Sequence, residues 1–536
     1  MGPVVRVLQG DLEGAEGIDF EGNTFYKFLG VPYAKAPIGE LRFKDPVPAE
    51  SWMGVRNATE DGDACYQNDL FAHQIYGSED CLNLNIFTPE LPSNDKFNLK
   101  PVMVWIHGGG FSQGSNDSKK IYGPEFLMTE NVVLVTINYR LGLLGFLRIK
   151  DPNFNISGNM GFKDQVEALR WIKSNIQQFN GDPDNVTIFG ESAGGASVHN
   201  LVLSPLARGL FHKAICQSGA SLCPWGDDGD HSAVQIAKIH DSSISTEKEA
   251  VHLFKNMSVQ ELHKIQEKVH NFNQGMRVGV LGLVIEPADR KNAFMTKRPI
   301  DIITSGDYGK VPIIFGYNNR EAILFYFEKL GKGEINPEKK LSVEKFIPHN
   351  INLKKNDSAT YHLLDKLSSV YFNGGDLQDN NIMLMSDAMF VMGILGSVKN
   401  HAQSSPLPVY LYQLSLETKL NTIKTLLKLE HASGCSHADD LGYLFKTLVT
   451  PESIEPGSIE DLSLRRMLRL WSNFARYGNP TPEEDEFKIT WKPARARQLN
   501  TLVIDEELKM EINPGGKRLD MWKQIYQQAP ATSKYL

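Results

Sequence analysis

A short buried strand, a sharp turn and a helix are predicted where the chain reads VTIFGESAGG from Val186 onward. Ile188 and Phe189 complete the β-branched and aromatic composition of a strand. Residues 190–194 fit G-x-S-x-G, a pattern that places a serine on a tight turn between strand and helix. A glycine-rich turn without chemistry is the alternative. Because a strand precedes and a helix follows, we interpret Ser192 as a nucleophile at a helix N-terminus, where unpaired N–H groups favour negative charge.

Length and composition indicate a large globular protein. The chain has 536 residues, 41% of them hydrophobic and 22% charged, which is ample for a large core. The net charge is -8 without a basic block, so nucleic-acid binding is not expected. The most apolar stretch, 132–147, is interrupted by Asn138 and Arg140 and is too short to span a membrane. No apolar signal segment opens the sequence, which predicts a cytoplasmic protein, or a secreted one if a presequence is missing.

Apolar strands that alternate with helical stretches predict the fold class. Continuous apolar runs, typical of strands buried on both faces, occur at 102–106, 132–137, 213–217, 311–316 and 409–414, with 502–504 as a further candidate. Residues 82–87 alternate and predict a strand with one polar face, and 163–179 predict an amphipathic helix. This order indicates an α/β fold, with a mostly parallel sheet flanked by helices. The helical stretches 230–300 and 325–400 are interpreted as insertions over the carboxyl edge of the sheet, within one domain spanning 1–536.

A histidine and three glycines, residues 107–110, directly follow the predicted strand 102–106. Glycines let bare N–H groups approach a substrate oxygen closely, and each such donor can lower the barrier of acyl transfer by roughly 3 kcal/mol. A flexible turn is the alternative. A phosphate-binding loop does not fit, since no Gly-Lys-Ser/Thr follows. Together with the serine turn, the loop is interpreted as an oxyanion hole.

A nucleophilic serine needs a base and an acid that orients the base. If the chain order is serine, acid, histidine, the base lies after Ser192. His199 lies about 10 Å further along the same helix, too far for a hydrogen bond, whereas His437 lies in a loop of small residues after a predicted strand. Residue type alone leaves three candidates for the acid: Asp439, Asp440 and Glu321.

Several short stretches carry a resemblance to a known family. They are LGVPYA at 29–34, SEDCL at 78–82, HGGGF at 107–111, GESAG at 190–194, CPW at 223–225 and SHADD at 436–440. With these, the chain resembles the type-B carboxylesterases of the cholinesterase-like α/β-hydrolase group, and most of all insect α-esterases. The resemblance runs from about residue 17 to residue 526.

The resemblance implies an α/β-hydrolase fold and a set of site residues. The family's catalytic triad falls on Ser192, Glu321 and His437, and its oxyanion donors fall on Gly109, Gly110 and Ala193. Glu321 stands in Arg-Glu-Ala, where the family usually has Asp-Glu-Gly. The candidates for the substrate pocket are Phe111, Glu191, Trp225 and Phe390.

Neither a cofactor nor a metal is expected for this chemistry, and the sequence has no zinc-type cluster of Cys and His. Cys65 and Cys81 are candidates for a disulfide that closes a surface loop. In a reducing cytosol all five cysteines would instead stay thiols.

The implied activity is hydrolysis of carboxylic esters through an acyl-enzyme intermediate. Small-molecule esters are the expected substrates, particularly xenobiotic or lipid-like esters that include insecticides, and organophosphates are the expected covalent inhibitors. A choline esterase is disfavoured because residues 66–80 contain no tryptophan for a cation–π contact. A juvenile hormone esterase and a non-catalytic adhesion protein on the same fold remain alternatives.

Overall fold

The computed structural model describes residues 2–69, 74–93, 97–226, 232–272, 281–348, 351, 353, 357–482, 487–529 and 532–536. The strands are β1 (Val4–Val7), β2 (Gly10–Glu13), β3 (Ala15–Ile18), β4 (Thr24–Pro32), β5 (Val55–Asn57), β6 (Gln67–Asn68), β7 (Ile75–Tyr76), β8 (Asn83–Thr88), β9 (Lys100–Ile106), β10 (Val133–Ile137), β11 (Gly181–Glu191), β12 (Lys213–Gln217), β13 (Ile313–Asn318), β14 (Val409–Leu414), β15 (Asn500–Ile504) and β16 (Lys509–Ile512).

The helices are α1 (Glu125–Met128), α2 (Gly142–Phe146), α3 (Met160–Asn175), α4 (Ala193–Leu203), α5 (Ala233–Lys238), α6 (Glu247–Asn256), α7 (Val259–Phe272), α8 (Pro299–Ser305), α9 (Ile323–Gly331), α10 (Ser358–Phe372), α11 (Leu377–Ser386), α12 (Met392–Ser404), α13 (Thr422–Leu427), α14 (Ile459–Tyr477) and α15 (Gly516–Tyr526). A π-helical segment, Asp387–Val391, joins α11 to α12.

An 11-stranded sheet runs through the molecule in the order β16-β15-β14-β13-β12-β11-β9-β10-β8-β4-β3. All neighbouring pairs from β15 to β10 are parallel. Antiparallel pairs continue the sheet at both ends. The predicted fold class is therefore confirmed, and the predicted buried strands all lie in this sheet. Two small sheets, β1-β2-β5 and β6-β7, lie outside it.

Side chains of the central strands enter two hydrophobic cores, one on each face of the sheet. In β9, Val104 packs into the core that contains residues of α3, α4 and α12, whereas Trp105 packs into the core that contains residues of α14. Both side chains are fully buried, and burying a large apolar side chain contributes roughly 1.5–3 kcal/mol. The continuous apolar runs in the sequence thus reflect coverage of both faces.

The strand predicted at 82–87 is present as β8, and its polar residues Asn83 and Asn85 lie on one face. All six residues of β8 are buried, and the strand lies between β10 and β4 in the sheet. Its polar side chains are hydrogen-bonded there: Asn83 Nδ2 donates to the carbonyl of Asp63 at 2.9 Å, and Asn85 Nδ2 donates to Asp61 Oδ1 at 2.7 Å. Buried amides with partners are tolerated where unpaired ones would be costly.

The helix predicted at 163–179 begins earlier, at the start of α3, and its last turn is a 3₁₀-helix, Ile176–Phe179. The predicted helical insertions contain α5 to α8 and α9 to α12, although part of each lies outside the described residues. Both reach the carboxyl edge of the sheet. Gln266 of α7 accepts a hydrogen bond from the N–H of Leu143 at 3.0 Å, and Phe390 of the π-helical segment packs on His437.

Within the described residues, one helical run, Leu377–Ser404, has the length and apolar composition of a membrane span, but 94% of its apolar window is buried inside the protein.

Cys65 and Cys81 form a disulfide that closes the loop carrying β6 and β7. The bridge agrees with the predicted loop closure, and the alternative expectation of five free thiols does not hold for this pair. The other three cysteines, Cys216, Cys223 and Cys435, are free and buried.

Candidate active site

Ser192 lies between the end of β11 and the start of α4, in a conformation that side chains rarely adopt. Its φ is 59° and its ψ is -123°, and strain of this kind persists only where the surrounding structure enforces it. The N–H of Ser192 donates to the carbonyl of Gln217 on β12 at 2.8 Å. A Cβ added at Gly194 would lie 2.0 Å from the carbonyl oxygen of Ile106. Glycine at this position therefore lets helix α4 pack directly on the end of β9. The turn at residues 190–194, which carries Ser192, is called the elbow below, and α4 is the elbow helix.

The loop after β9, residues 107–114, is called the glycine loop and passes beside this serine. A Cβ added at Gly108 would lie 3.1 Å from the Cβ of Ser192. Gly109 and Gly110 have φ values of 101° and 61°, which a glycine adopts without strain. Ala193 is the first residue of α4, so its N–H has no partner within the helix. The three predicted oxyanion donors therefore flank the serine from two sides.

His437 and Glu321 form a buried pair close to the elbow. His437 Nδ1 is 2.6 Å from Glu321 Oε2, and the N–H of His437 donates to the carbonyl of Glu321 at 3.2 Å. The other carboxylate oxygen, Oε1, accepts hydrogen bonds from Ser218 Oγ at 2.6 Å and from the N–H of Asn318 at 2.7 Å. The carboxylate is thus held in one orientation, and it fixes the proton of the imidazole on Nδ1.

The other two carboxylates considered for the acid bind elsewhere. Asp439 Oδ1 accepts the N–H groups of Ile423 and Lys424 at 2.9 and 3.0 Å, so it holds the loop that carries His437. Asp440 Oδ2 accepts a hydrogen bond from Gln217 Nε2 at 2.7 Å. Of the three candidates, Glu321 is the one in hydrogen-bond contact with the imidazole.

Glu191, predicted only as a pocket carboxylate, lies beside the other ring nitrogen. Its Oε1 is 3.1 Å from His437 Nε2. Burial raises the pKa of Glu191 to about 8, although the neighbouring His437 lowers it. Burial also lowers the pKa of His437, but Glu191 and Glu321 outweigh this effect and raise it to about 9. The two groups titrate together, and the carboxylates around the ring favour its protonated form.

The hydroxyl of Ser192 has no hydrogen-bond partner in the part of the chain that the structure describes. His437 Nε2 lies 3.1 Å from Glu191 Oε1 instead of contacting the hydroxyl. Hydrogen bonds between a nucleophile and its base are often formed only when substrate binds. Sequence analysis did not predict the contact between Glu191 and His437, because the two residues are far apart in the chain.

Aromatic rings wall the site on the side of His437. The ring centroids of Phe390 and Phe325 lie 4.5 and 5.5 Å from that of His437. Trp225 lies 5.6 Å from Phe390, and its Nε1 donates to the carbonyl of Met389 at 2.8 Å. Two of the predicted pocket aromatics, Trp225 and Phe390, are therefore brought together, and Phe325 joins them. Sequence analysis missed Phe325, because one apolar residue on a helix has the same pattern as core.

Phe111, the third predicted pocket aromatic, is 1% exposed and packs against Phe146 and Phe162 at 5.3 and 5.6 Å between ring centroids. Its ring thus belongs largely to the core. Its backbone, with φ 60°, continues the glycine loop.

Two further histidines near the elbow are buried without contacting Ser192. His107 Nδ1 lies 2.8 Å from the carbonyl of Gly108, and burial lowers the pKa of His107 to about 4. His199 Nε2 lies 2.7 Å from His401 Nε2, and burial lowers the pKa of His199 to about 3. Both rings are neutral at physiological pH and help to hold the backbone around the site.

Comparison with known proteins identifies a matching family, related sequences and a similar solved structure. A family model described as the carboxylesterase family matches residues 1–522. A juvenile hormone esterase of Tribolium castaneum is 32% identical over 505 residues, covering 90% of this chain and 85% of the relative. The mouse (Mus musculus) pyrethroid hydrolase Ces2a is 35% identical over 482 residues, covering 85% and 80%. The solved juvenile hormone esterase of Manduca sexta, with OTFP covalently attached, has a TM-score of 0.84 at 29% identity and covers 98% of this chain and 100% of its own.

Proposed function

The chain belongs to the carboxylesterase family, and on that premise we propose that it hydrolyses carboxylic esters at Ser192 through an acyl-enzyme intermediate. One observation carries the proposal. The strained serine at the elbow lies beside the glycine loop, where the N–H groups of Gly109 and Gly110 have no backbone partner among the described residues. A buried imidazole paired with Glu321 lies at the same edge of the sheet. This is the arrangement that acyl transfer requires of a nucleophile, a base, an orienting acid and an oxyanion hole.

In the first half-reaction, His437 Nε2 takes the proton of Ser192 Oγ while Oγ attacks the ester carbonyl carbon. The carbonyl oxygen becomes an oxyanion, which the N–H groups of Gly109, Gly110 and Ala193 receive. The tetrahedral intermediate then collapses. The bond to the alcohol oxygen breaks, and His437 gives its proton to the departing alcohol.

In the second half-reaction, water attacks the acyl-enzyme. His437 Nε2 takes one proton from the water, a second oxyanion forms, and the bond to Ser192 Oγ breaks as that oxygen is reprotonated. The net reaction is ester and water to acid and alcohol. Glu321 keeps the other imidazole proton on Nδ1 throughout and stabilises the transient positive charge.

The aromatic wall supports esters with apolar groups as substrates. Phe325 and Phe390 pack beside the imidazole, and Trp225 packs against Phe390. Pockets for lipid-like or xenobiotic groups are lined by aromatic side chains of this kind. We therefore propose xenobiotic or lipid-like esters, insecticide esters among them, as the substrate class. Organophosphates should react at the same serine, with formation of an Oγ–P bond and departure of their leaving group.

Juvenile hormone hydrolysis is the second candidate function. It is favoured by the likeness over nearly the whole chain to esterases that are named for this hormone. The ratio of kcat/KM for juvenile hormone to that for a pyrethroid ester separates the two candidates. A ratio well above one would assign the hormone, and a ratio well below one would assign the xenobiotic role.

Cytoplasmic and secreted locations are both proposals for this chain. The Cys65–Cys81 disulfide is of a kind that persists mainly in oxidising compartments, so it supports the secreted location. Fractionation of cells that express the protein tests the location directly.

The proposed function is tested by hydrolysis of a short-chain 4-nitrophenyl ester by the wild type and by Ser192→Ala. We expect kcat to fall by about 10⁴-fold or more in the variant, since a triad nucleophile acts in every turnover. The matched control is Ser197→Ala on the same helix, a buried serine whose Oγ accepts a hydrogen bond from Gln165 Nε2 at 3.1 Å. A wild type without turnover, or a Ser192→Ala variant as active as the control, would reject the proposal in favour of a binding protein on this fold.

A further inference from the structure

Gln67 holds the far end of the glycine loop by a reciprocal pair of hydrogen bonds. The N–H of Gly114 donates to Gln67 Oε1 at 2.6 Å, and Gln67 Nε2 donates to the carbonyl of Gly114 at 2.7 Å. Gln67 Nε2 also donates to the carbonyl of Cys65 at 2.9 Å. The Gln67 residue is 1% exposed. Both ends of one buried side-chain amide thus fix the two peptide units that flank Gly114.

The residue that Gln67 holds closes the loop back on its own start. A Cβ added at Gly114 would lie 2.4 Å from the carbonyl oxygen of Gly108 and 2.4 Å from His107 Nδ1. Gly114 has a φ of 102°, which a residue with a side chain rarely adopts. A shift of Gly114 would therefore be transmitted to the backbone of Gly108 and to the imidazole of His107.

A second path leads from Gly114 to the proposed oxyanion donors. The carbonyl of Gly109 accepts the N–H groups of Ser112 at 3.1 Å and of Gln113 at 3.0 Å, and Gln113 directly precedes Gly114. The carbonyl of Gly109 and the N–H of Gly110 belong to one planar trans peptide unit, so they point in opposite directions. Fixing the carbonyl therefore aims the N–H of Gly110.

Gln67 is itself firmly anchored. It pairs with Tyr76 in the β6–β7 hairpin, and the loop that contains both strands is closed by the disulfide between Cys65 and Cys81. The hydrogen bonds between Gln67 and Gly114, here called the clamp, thus connect the disulfide loop, residues 65–81, to the glycine loop.

We propose that Gln67 is a positioning residue that aims the oxyanion donors of the glycine loop. This inference rests on the proposed esterase function and specifies how its oxyanion hole is held. The oxyanion exists in the transition state and not in the bound ester, so loss of the clamp weakens transition-state binding selectively. A purely structural glutamine would change stability without this selectivity.

The test compares Gln67→Met, which removes both clamp hydrogen bonds, with Gln67→Glu, whose carboxylate can still accept from Gly114 but cannot donate. The matched control is Asn381→Leu. Asn381 of α11 is also buried, and its side-chain amide makes the same kind of two-point contact with a loop outside the site. Asn381 accepts a hydrogen bond from the N–H of Leu341 at 2.8 Å and donates one to the carbonyl of Lys339 at 3.1 Å.

For every variant, an organophosphate titrates the fraction of functional sites, and kcat/KM for a 4-nitrophenyl ester is expressed per titrated site. A trifluoromethyl ketone probes the oxyanion hole, because its adduct with serine carries an oxyanion. An unreactive ether analogue of the ester probes ground-state binding. A thermal melt reports folding.

We expect Gln67→Met to lower kcat/KM per site by about 10- to 100-fold, since a small misplacement of catalytic groups can cost about 100-fold. The affinity for the trifluoromethyl ketone should fall by the same factor, and the affinity for the ether should stay within about twofold of the wild type. Gln67→Glu should show the same losses of kcat/KM and of trifluoromethyl ketone affinity. If Gln67→Met does not fold, the comparison of Gln67→Glu with the wild type tests the proposal. Asn381→Leu should lower the melting temperature only.

Two results would overturn the inference while leaving the esterase function intact. One is kcat/KM per site in folded Gln67 variants within about twofold of an active wild type. The other is an equal loss in Asn381→Leu. A wild type that neither turns over the ester nor reacts with the organophosphate would instead overturn the proposed function, and the role of Gln67 with it.

Discussion

His437 is the general base of the proposed mechanism, and each of its two ring nitrogens lies beside a carboxylate. The two carboxylates have different roles. Nδ1 is hydrogen-bonded to Glu321, whose own partners hold it in place. Nε2, the nitrogen that must serve Ser192, lies 3.1 Å from Glu191. The first carboxylate orients the base, whereas the second stabilises its protonated, inactive form. The balance between these effects determines the pH at which the enzyme works.

The pH dependence follows from that balance. The base must be neutral to accept the serine proton, so kcat/KM should rise with pH up to the His437 pKa of about 9. Glu191→Gln removes a negative charge beside Nε2 and should move this rise to lower pH, by about one pH unit. Glu191→Asp, which keeps the charge, is the control. A pH profile of Glu191→Gln identical to that of the wild type would show that Glu191 does not act on the base.

At the scale of elements, the site is made where strands end. β9 leads into the glycine loop, β11 leads into the elbow, and the segment after β13 carries Glu321. Parallel strands bring these carboxyl ends to one edge of the sheet. The elbow helix α4 packs so closely on the end of β9 that one missing side chain, at Gly194, makes the contact possible.

That contact predicts the effect of a single methyl group. In Gly194→Ala, the added Cβ would lie 2.0 Å from the carbonyl oxygen of Ile106, so α4 must move away from β9 and carry Ser192 with it. We expect a loss of about 100-fold or more in kcat/KM and a lower melting temperature.

Gly331→Ala is the control for this change. Gly331 is exposed at the end of α9, and a Cβ added there meets no atom within 4 Å. Its activity should be unchanged, and the free energy of unfolding should rise by up to about 1 kcal/mol. Full activity in Gly194→Ala would contradict the packing described for the elbow.

Short sequence motifs were sufficient to predict those parts of the site that consist of residues close together in the chain. The elbow and the glycine loop were predicted correctly as to position, because tight turns need particular residues within a few positions. The buried strands were predicted because both faces of the sheet are covered. By contrast, alternation alone could not show that the polar side chains of Asn83 and Asn85 are buried with hydrogen-bond partners.

Contacts between distant segments could not be predicted in the same way. The approach of Glu191 to His437, the addition of Phe325 to the aromatic wall and the clamp of Gln67 on Gly114 each join residues from separate elements. Residue type gave the acid only as one of three choices, and the resemblance to a family was needed to select Glu321.

At the scale of the whole molecule, the disulfide loop connects stability to the site. Closing a loop of 16 residues lowers the entropy of the unfolded chain and contributes about 3 kcal/mol in the chain-entropy account. The same loop carries Gln67, which holds the glycine loop. Opening the bridge should therefore affect both folding and catalysis.

Reduction of the disulfide tests this connection. We expect a thiol reductant to lower the melting temperature of the wild type and to reduce its kcat/KM per titrated site. The double variant Cys65→Ser/Cys81→Ser should show both changes without reductant and no further response to it. A wild type whose melting temperature is insensitive to a reductant that demonstrably frees both thiols would contradict the predicted contribution of the bridge.

The central claim is that Ser192 is the nucleophile of an esterase, and mass mapping of an organophosphate adduct tests it most directly. The purified protein is treated with increasing amounts of the reagent, residual ester hydrolysis is measured, and the peptides are mapped by mass. We predict that hydrolysis falls in proportion to labelling and vanishes when one phosphoryl group per chain is found on Ser192. Complete labelling of another residue, or full hydrolysis with Ser192 labelled, would contradict the claim.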